Sequence, residues 1–119
     1  MFKKILIIVL FLFLCIVNVN FSNDNVLHIL SKNNIKYSLL IYEKNKLLFE
    51  LFNADLNDIK NTFNLSIYSC LKLSDRVVVE GYSNCFNSYV NIDNKKVNFQ
   101  ISIFDDKVLV GCPLIYGSF

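Results

Sequence analysis

Tryptophan is missing from this chain of 119 residues, and proline, arginine, histidine and methionine occur once each. Each scarcity excludes something. A lone arginine, Arg76, leaves no guanidinium cluster to neutralise phosphates, so DNA and RNA are disfavoured as partners. The lone histidine, His28, sits between Leu27 and Ile29; a nucleophilic pair would need it to meet a cysteine and a third, orienting group, and no spacing suggests that. No C-x-x-C occurs, which removes support for structural zinc, and the D-x-D-x-D-G calcium pattern is absent. Neither a metal nor a cofactor is expected. Without a low-complexity linker or an internal repeat, the length allows a single domain.

What is abundant is apolar, and much of it comes first. Lys3 and Lys4 precede Ile5 to Val17, thirteen consecutive apolar residues, and Asn18, Asn20, Ser22, Asn23 and Asp24 then break the run. A basic flank, a short apolar stretch and a polar exit are the parts of a secretory signal. Thirteen residues make a helix of roughly 20 Å, short of the ~30 Å hydrocarbon core. A buried core helix would carry a polar stripe, and this one has none. The expectation is export, with residues 1–22 a signal peptide or an uncleaved anchor touching the membrane through residues 5–19, and residues 23–119 a single domain outside the cytoplasm. Asn20-Phe21-Ser22 is the best small-x-small cleavage site, and Cys15, preceded by Leu14, reads as an apolar member of the run rather than a lipidated cysteine.

Of the twelve basic residues two precede the run, leaving ten basic against ten acidic in the exported part. Plentiful Asn, Ile, Lys, Phe and Tyr fit an AT-rich genome, which strips meaning from any single asparagine. Cys70, Cys85 and Cys112 remain after the signal; an odd number outside the cell permits one disulfide and a free thiol, or none. Each lies in an apolar stretch, where inert buried thiols are the common state.

Beyond the signal, Asp24 is placed to cap a short helix carrying Val26, Leu27, Ile29 and Leu30, with Asn33-Asn34 as its stop. Residues 35–42 read as a strand, Lys44-Asn45 as a turn, and residues 46–52 as a second strand. Asn53 or Asp55 opens a helix whose Leu56, Ile59 and Phe63 share one face, with Asp55 and Asp58 complementing its dipole. Residues 65–73 and 76–82 form the next two strands around Ser74-Asp75. Ser83 is placed to cap a helical turn through Cys85, Phe86 and Tyr89, although the asparagines there also suit a loop. Residues 97–103 alternate strictly, Asp105-Asp106 turns the chain, and residues 107–115 return alongside. The fold class is α+β: an antiparallel sheet of about six strands with one or two helices packed on one face, preceded by the signal or anchor helix.

No carboxylate pair reads as an acid–base couple. Pro113 in Gly111-Cys112-Pro113 interrupts the last strand, which therefore lies at a sheet edge or bulges there, either simply terminating or displaying Leu114, Ile115 and Tyr116 to a partner. The tyrosines could line a peptide or glycan groove, yet most tyrosines in so small a domain rim the core.

Gly81-Tyr82-Ser83, Val97-Asn98-Phe99-Gln100-Ile101-Ser102 and Gly111-Cys112-Pro113-Leu114-Ile115 resemble the C-terminal part of the YwmB-like proteins, exported proteins of spore-forming Gram-positive bacteria. The family shows an Asn-aliphatic-Gln strand and a Gly-Thr-Pro-Ile-Ile ending. Here Cys112 replaces the usual threonine and Phe99 the usual leucine, which argues against Cys112 as an obligatory nucleophile. The likeness covers roughly residues 80–119, with Gly81, Tyr82, Asn98, Gln100, Gly111 and Pro113 as its motif residues, in a chain about half the family's length. It implies a fold like that of the TATA-box-binding protein and an envelope role linked to sporulation or cell-wall metabolism, with no enzymatic activity established for the family. A fold likeness is not an activity. The functional expectation is a non-catalytic cell-envelope domain binding a protein or wall component. The alternatives are a small secreted hydrolase or thiol enzyme using Cys85 or Cys112, and a membrane-anchored accessory subunit.

Overall fold

The computed structural model describes residues 7–8 and 22–115. The signal or anchor segment, its membrane contact and Tyr116 therefore lie outside the described residues, apart from Ile7, Ile8 and Ser22. The elements are α1 (22–32), β1 (Lys36–Glu43), β2 (Lys46–Phe52), α2 (Leu56–Phe63), β3 (Ser66–Lys72), β4 (Val77–Tyr82), β5 (Val90–Ile92), β6 (Lys95–Val97), β7 (Phe99–Ile103) and β8 (Val108–Cys112). Six strands form one antiparallel sheet in the order β1-β2-β8-β7-β4-β3, and β5 and β6 form a separate hairpin.

Alternation sends alternate residues of each strand to opposite faces. One row across the sheet reads Leu39, Phe49, Val110, Ile101, Val79 and Cys70. Its four central members are fully buried beneath Val26 and Leu30 of α1 and Ile59 and Phe63 of α2, so both helices lie on this face. The Phe63 ring sits 5.0 Å from that of Phe99. Both ends of the row, Leu39 and Cys70, emerge into solvent, because two helices cover the middle strands and leave the margins.

Local chemistry explains the helix ends. Asp55 is the N-cap of α2: its carboxylate accepts from the Asp58 backbone N–H at 2.9 Å, and the Asp58 carboxylate accepts from that of Asp55 at 3.0 Å. Asn64 closes the helix in the left-handed conformation (φ 51°). Asn34 (φ 58°) does the same for α1, where Ile35 N–H bonds the Leu30 carbonyl at 3.0 Å. The start of α1 differs from expectation. It is already helical at Ser22, so Asp24 is no cap. Instead the polar residues of this turn bond outward. Ser22 Oγ accepts from Asn87 N–H (2.9 Å), Asn23 donates to the Glu43 carbonyl (2.6 Å), Asn25 donates to the Cys85 carbonyl (3.0 Å), and Asp24 accepts from the Tyr42 hydroxyl.

Three further expectations are corrected. Ser83 caps no helical turn; its Oγ accepts from Cys85 N–H at 3.3 Å within a loop. Residues 97–103 are two strands, since β6 ends at Val97 and β7 begins at Phe99. The break is Asn98, fully buried, whose side chain satisfies the loop it interrupts: Oδ1 accepts from Ser83 N–H (2.8 Å), and Nδ2 donates to the carbonyls of Ser83 (2.6 Å) and Phe86 (2.8 Å). The last strand is not at an edge, because β8 pairs with β2 on one side and β7 on the other.

Two outcomes follow. Asn98→Ala leaves one buried N–H and two carbonyls without this partner and costs about 3 kcal/mol, lowering the midpoint of thermal unfolding by more than about 10 °C; a loss under about 1 kcal/mol would show that the loop is held by other means. Tyr42 is pushed up to about 12, chiefly by its hydrogen bond to Asp24, then by burial and by the carboxylate charge. Its neutral form is the one the fold stabilises. That contribution is present below about pH 10, where an unfolded tyrosine ionises, and is lost as pH rises through the folded value. In a tyrosinate absorbance titration, Tyr42→Phe removes a phase centred near pH 12.

Candidate partner-binding surface

The sheet's second face carries no helix among the described residues. Registers define two rows across it: Ser38, Glu50, Leu109, Ser102, Val78 and Leu71, and beside it Ile41, Leu48, Gly111, Gln100, Glu80 and Ser69. Apolar and polar residues mix in both. A face that only awaited a core layer would be uniformly apolar, whereas Glu50, Glu80 and Gln100 here remain partly solvated.

Part of this face is roofed by the chain's own end. After β8 the Cys112–Pro113 peptide is cis, and residues 113–115 cross above Gly111. A Cβ on Gly111 would run into the Leu114 carbonyl, so the crossing requires glycine. Gln100 Oε1 accepts from Ile115 N–H at 2.9 Å, and Ile115 packs on Leu48 and Leu109 with Ile41 and Phe104 beside them. Of the three residues expected to be displayed to a partner, Leu114 is half-buried and Ile115 is buried within this small cluster. Proline ends an interior strand here, and the side chains that follow turn inward.

The remaining motif residues hold comparable junctions. A Cβ on Gly81 would meet the Ser66 carbonyl of β3, so glycine permits that close approach. Tyr82 ends β4 opposite Ser66, just before the Asn98-bound loop. Gly81, Asn98, Gln100, Gly111 and Pro113 are each placed where chain segments cross or close. The family likeness groups these residues, and of them only Pro113 carries a physical task legible in sequence, the interruption of the last strand.

Exposed apolar residues gather at the two edges of the sheet, Leu39, Leu40 and Tyr42 on β1 and a second group at β3. Tyr68 and Leu71 on β3 and the neighbouring Leu73 are 39%, 57% and 43% exposed, and Cys70 is exposed among them. The β5–β6 hairpin stands beside this strand; it turns at Asp93-Asn94, both with positive φ, and rests Lys95 Nζ 5.2 Å from the Tyr68 ring centroid. Between them Ser69, Glu80, Ile92 and Val97 line a cleft of about 110 Å³. Arg76 lies 3.4 Å from the Asp75 carboxylate with its guanidinium 5.4 Å from the Phe104 ring centroid. His28 is exposed on α1.

The thiols differ sharply. Burial pushes the Cys85 thiol up, partly offset by the Ser83 hydroxyl 3.1 Å from its sulfur. Cys112, fully enclosed, is raised well above the ordinary thiol range by burial first and by proximity to Cys85 second. A nucleophilic thiol needs the thiolate, and both sites disfavour it. Among the described residues, no group of three His, Cys, Asp or Glu side chains is arranged to hold a metal ion.

Comparison of the chain with family models, with curated proteins and with solved structures returned no match.

The thiol chemistry predicts an ordered alkylation. In a chain carrying Cys15→Ser, native protein near neutral pH takes up iodoacetamide at Cys70, while Cys85 and Cys112 react only in denaturant. Peptide mapping of the labelled sites checks this, and rapid native labelling of Cys85 would restore the thiol-enzyme alternative.

Proposed function

We propose that this chain is an exported, non-catalytic cell-envelope domain that binds a protein or wall component through the helix-free face of its sheet. The observation that carries the reading is the asymmetry of the sheet. Its helices protect one face completely over the central strands, while the other keeps Glu50, Glu80 and Gln100 partly solvated between apolar neighbours. Leu48, Val78 and Leu109 on this face are themselves buried, so the groups a partner would meet here are the placed polar ones, which supply specificity. The protonated state favoured at Cys85 and Cys112 weighs against a thiol enzyme.

Export rests on Lys3-Lys4 and the apolar run behind them. Near-neutral charge in the remainder suits a partner other than nucleic acid. The likeness to YwmB-like proteins extends the proposal to a role in sporulation or wall metabolism, with the TATA-box-binding-protein-like fold as architecture only.

Fractionation and crosslinking test this together. The full chain is expected in the envelope fraction; if its leader is removed, the new N-terminus lies at or before Ser22, because Ser22 and Asn23 are buried and hydrogen-bonded to the fold. A photocrosslinker at position 80 is expected to capture an envelope protein, or purified sacculi to retain the chain. Glu50→Lys lowers that capture about tenfold, or ~1.4 kcal/mol. A cytosolic chain with its first twenty residues inside the globule would sink the proposal, as would equal capture from position 28 on the helix side.

A further inference from the structure

On the helix-free face one row runs from Leu109 on β8 through Ser102 on β7 and Val78 on β4 to Leu71 on β3. The first three are buried, and the last is 57% exposed. Something therefore lies over β8, β7 and β4 and stops before β3. The described residues supply only part of that cover. Ile115 packs on Leu109, but Val78, 8% exposed, joins neither of the two apolar clusters. The hydroxyl of Ser102, fully buried, has no hydrogen-bond partner among the described residues. Side chains two residues along the same strands, Gln100, Phe104, Arg76 and Glu80, stand beside Ser102 and Val78 rather than over them.

We propose that residues 116–119 continue from Ile115 as a strap across this face, passing over Ser102 and setting Phe119 on Val78. Continuity argues for this occupant. Ile115 is already on the face, oriented by the hydrogen bond from its N–H to Gln100, and Tyr116 to Phe119 follow it directly. Leu109 and Val78 are two strand spacings apart, about 10 Å, and four extended residues cover about 13 Å. That reaches β4 and falls short of the third spacing, at about 14 Å, where Leu71 is exposed. In an extended course alternate residues face the sheet, so Ile115, Gly117 and Phe119 point down while Tyr116 and Ser118 point to solvent. Gly117 then crosses Ser102 closely enough for strap backbone to pair with the buried hydroxyl, and Phe119 supplies the apolar cover of Val78. The segment before Ser22 is the rival occupant, but it leaves from α1 on the opposite face and would have to round a sheet edge. The strap is independent of what the face binds.

The test follows a thiol beneath the middle of the strap. The full chain carries Cys15→Ser, Cys70→Ser and the near-isosteric Ser102→Cys, and N-ethylmaleimide labelling at positions 85, 102 and 112 is followed by peptide mapping at neutral pH. Labelling at 102 is expected to be slow in the intact chain. It becomes at least tenfold faster when residues 116–119 are deleted or Phe119→Asp is introduced, while 85 and 112, on the helix side, keep their rates. Where the deletion also speeds 85 and 112, the fold itself has opened and a second measurement decides. A benzophenone side chain at position 119 is expected to crosslink to β4 or β7 within one molecule, at a yield independent of dilution. Fast labelling at 102 in the intact chain would overturn the strap. So would protection that survives the deletion, which hands the cover to the leader. Crosslinks from 119 to α1 or α2, or dilution-dependent crosslinks between two copies, would overturn it as well.

Discussion

One buried hydrogen-bond chain ties the two layers and the longest connection together. Asn98 grips both backbone groups of Ser83 and the carbonyl of Phe86. The Ser83 hydroxyl passes the link on, donating to the Phe63 carbonyl at 2.5 Å at the end of α2. From the same loop, the Cys85 carbonyl and Asn87 N–H reach Asn25 and Ser22 of α1. Sheet, both helices and the loop preceding β5 are thus coupled through a few polar groups held in a low-dielectric interior. There each bond is electrostatically strong, and an unpaired partner is costly. Apolar packing supplies the driving force for collapse; this network selects where the loop and the helix ends come to rest.

That coupling explains why the first turn of α1 is polar. Viewed as sequence, Ser22, Asn23, Asp24 and Asn25 are the exit from an apolar run and a helix cap. In the fold Ser22 and Asn25 bond the loop at 85–87 while Asn23 and Asp24 bond the end of β1, so the turn is a tertiary fastening. Cleavage after Ser22 would remove one of these fastenings, the Asn87 N–H bond to the Ser22 hydroxyl. Backbone accounting makes the difference: helix capping was the nearest local use for these side chains, but the loop at 85–87 and the β1–β2 turn had backbone groups of their own to satisfy.

Much of the architecture was legible. The six sheet strands, their antiparallel pairing, a start of α2 at Asn53 or Asp55 and the Asn33-Asn34 stop of α1 all follow from alternation, turn residues and caps, which are local. What was hidden is non-local. Nothing in residues 97–103 betrays the break at Asn98, because its side chain fits the polar half of an alternating pattern; only its partners, more than ten residues away, reveal the interruption. The short β5–β6 hairpin was obscured for a related reason, since Asp93-Asn94 reads as a turn but three-residue strands leave almost no periodicity. The placement of β8 was likewise beyond reach. Proline after a strand fits an edge, and a central strand that simply stops before its proline gives the same local pattern.

The same distinction bears on function. Residues that looked informative as motifs, Gly81, Asn98, Gln100, Gly111 and Pro113, are spent on closures: a close strand approach, a loop clasp and the return of residues 113–115 over the sheet. A side chain fully used in holding its neighbours has little left with which to meet a ligand. Residues free to meet one are those that folding leaves unspent, the partly solvated carboxylates of the open face and the exposed apolar side chains along β3. Recognition in this chain is therefore to be sought where the pattern looked least distinctive, because distinctiveness here records the geometric demands of a small sheet covered on one side.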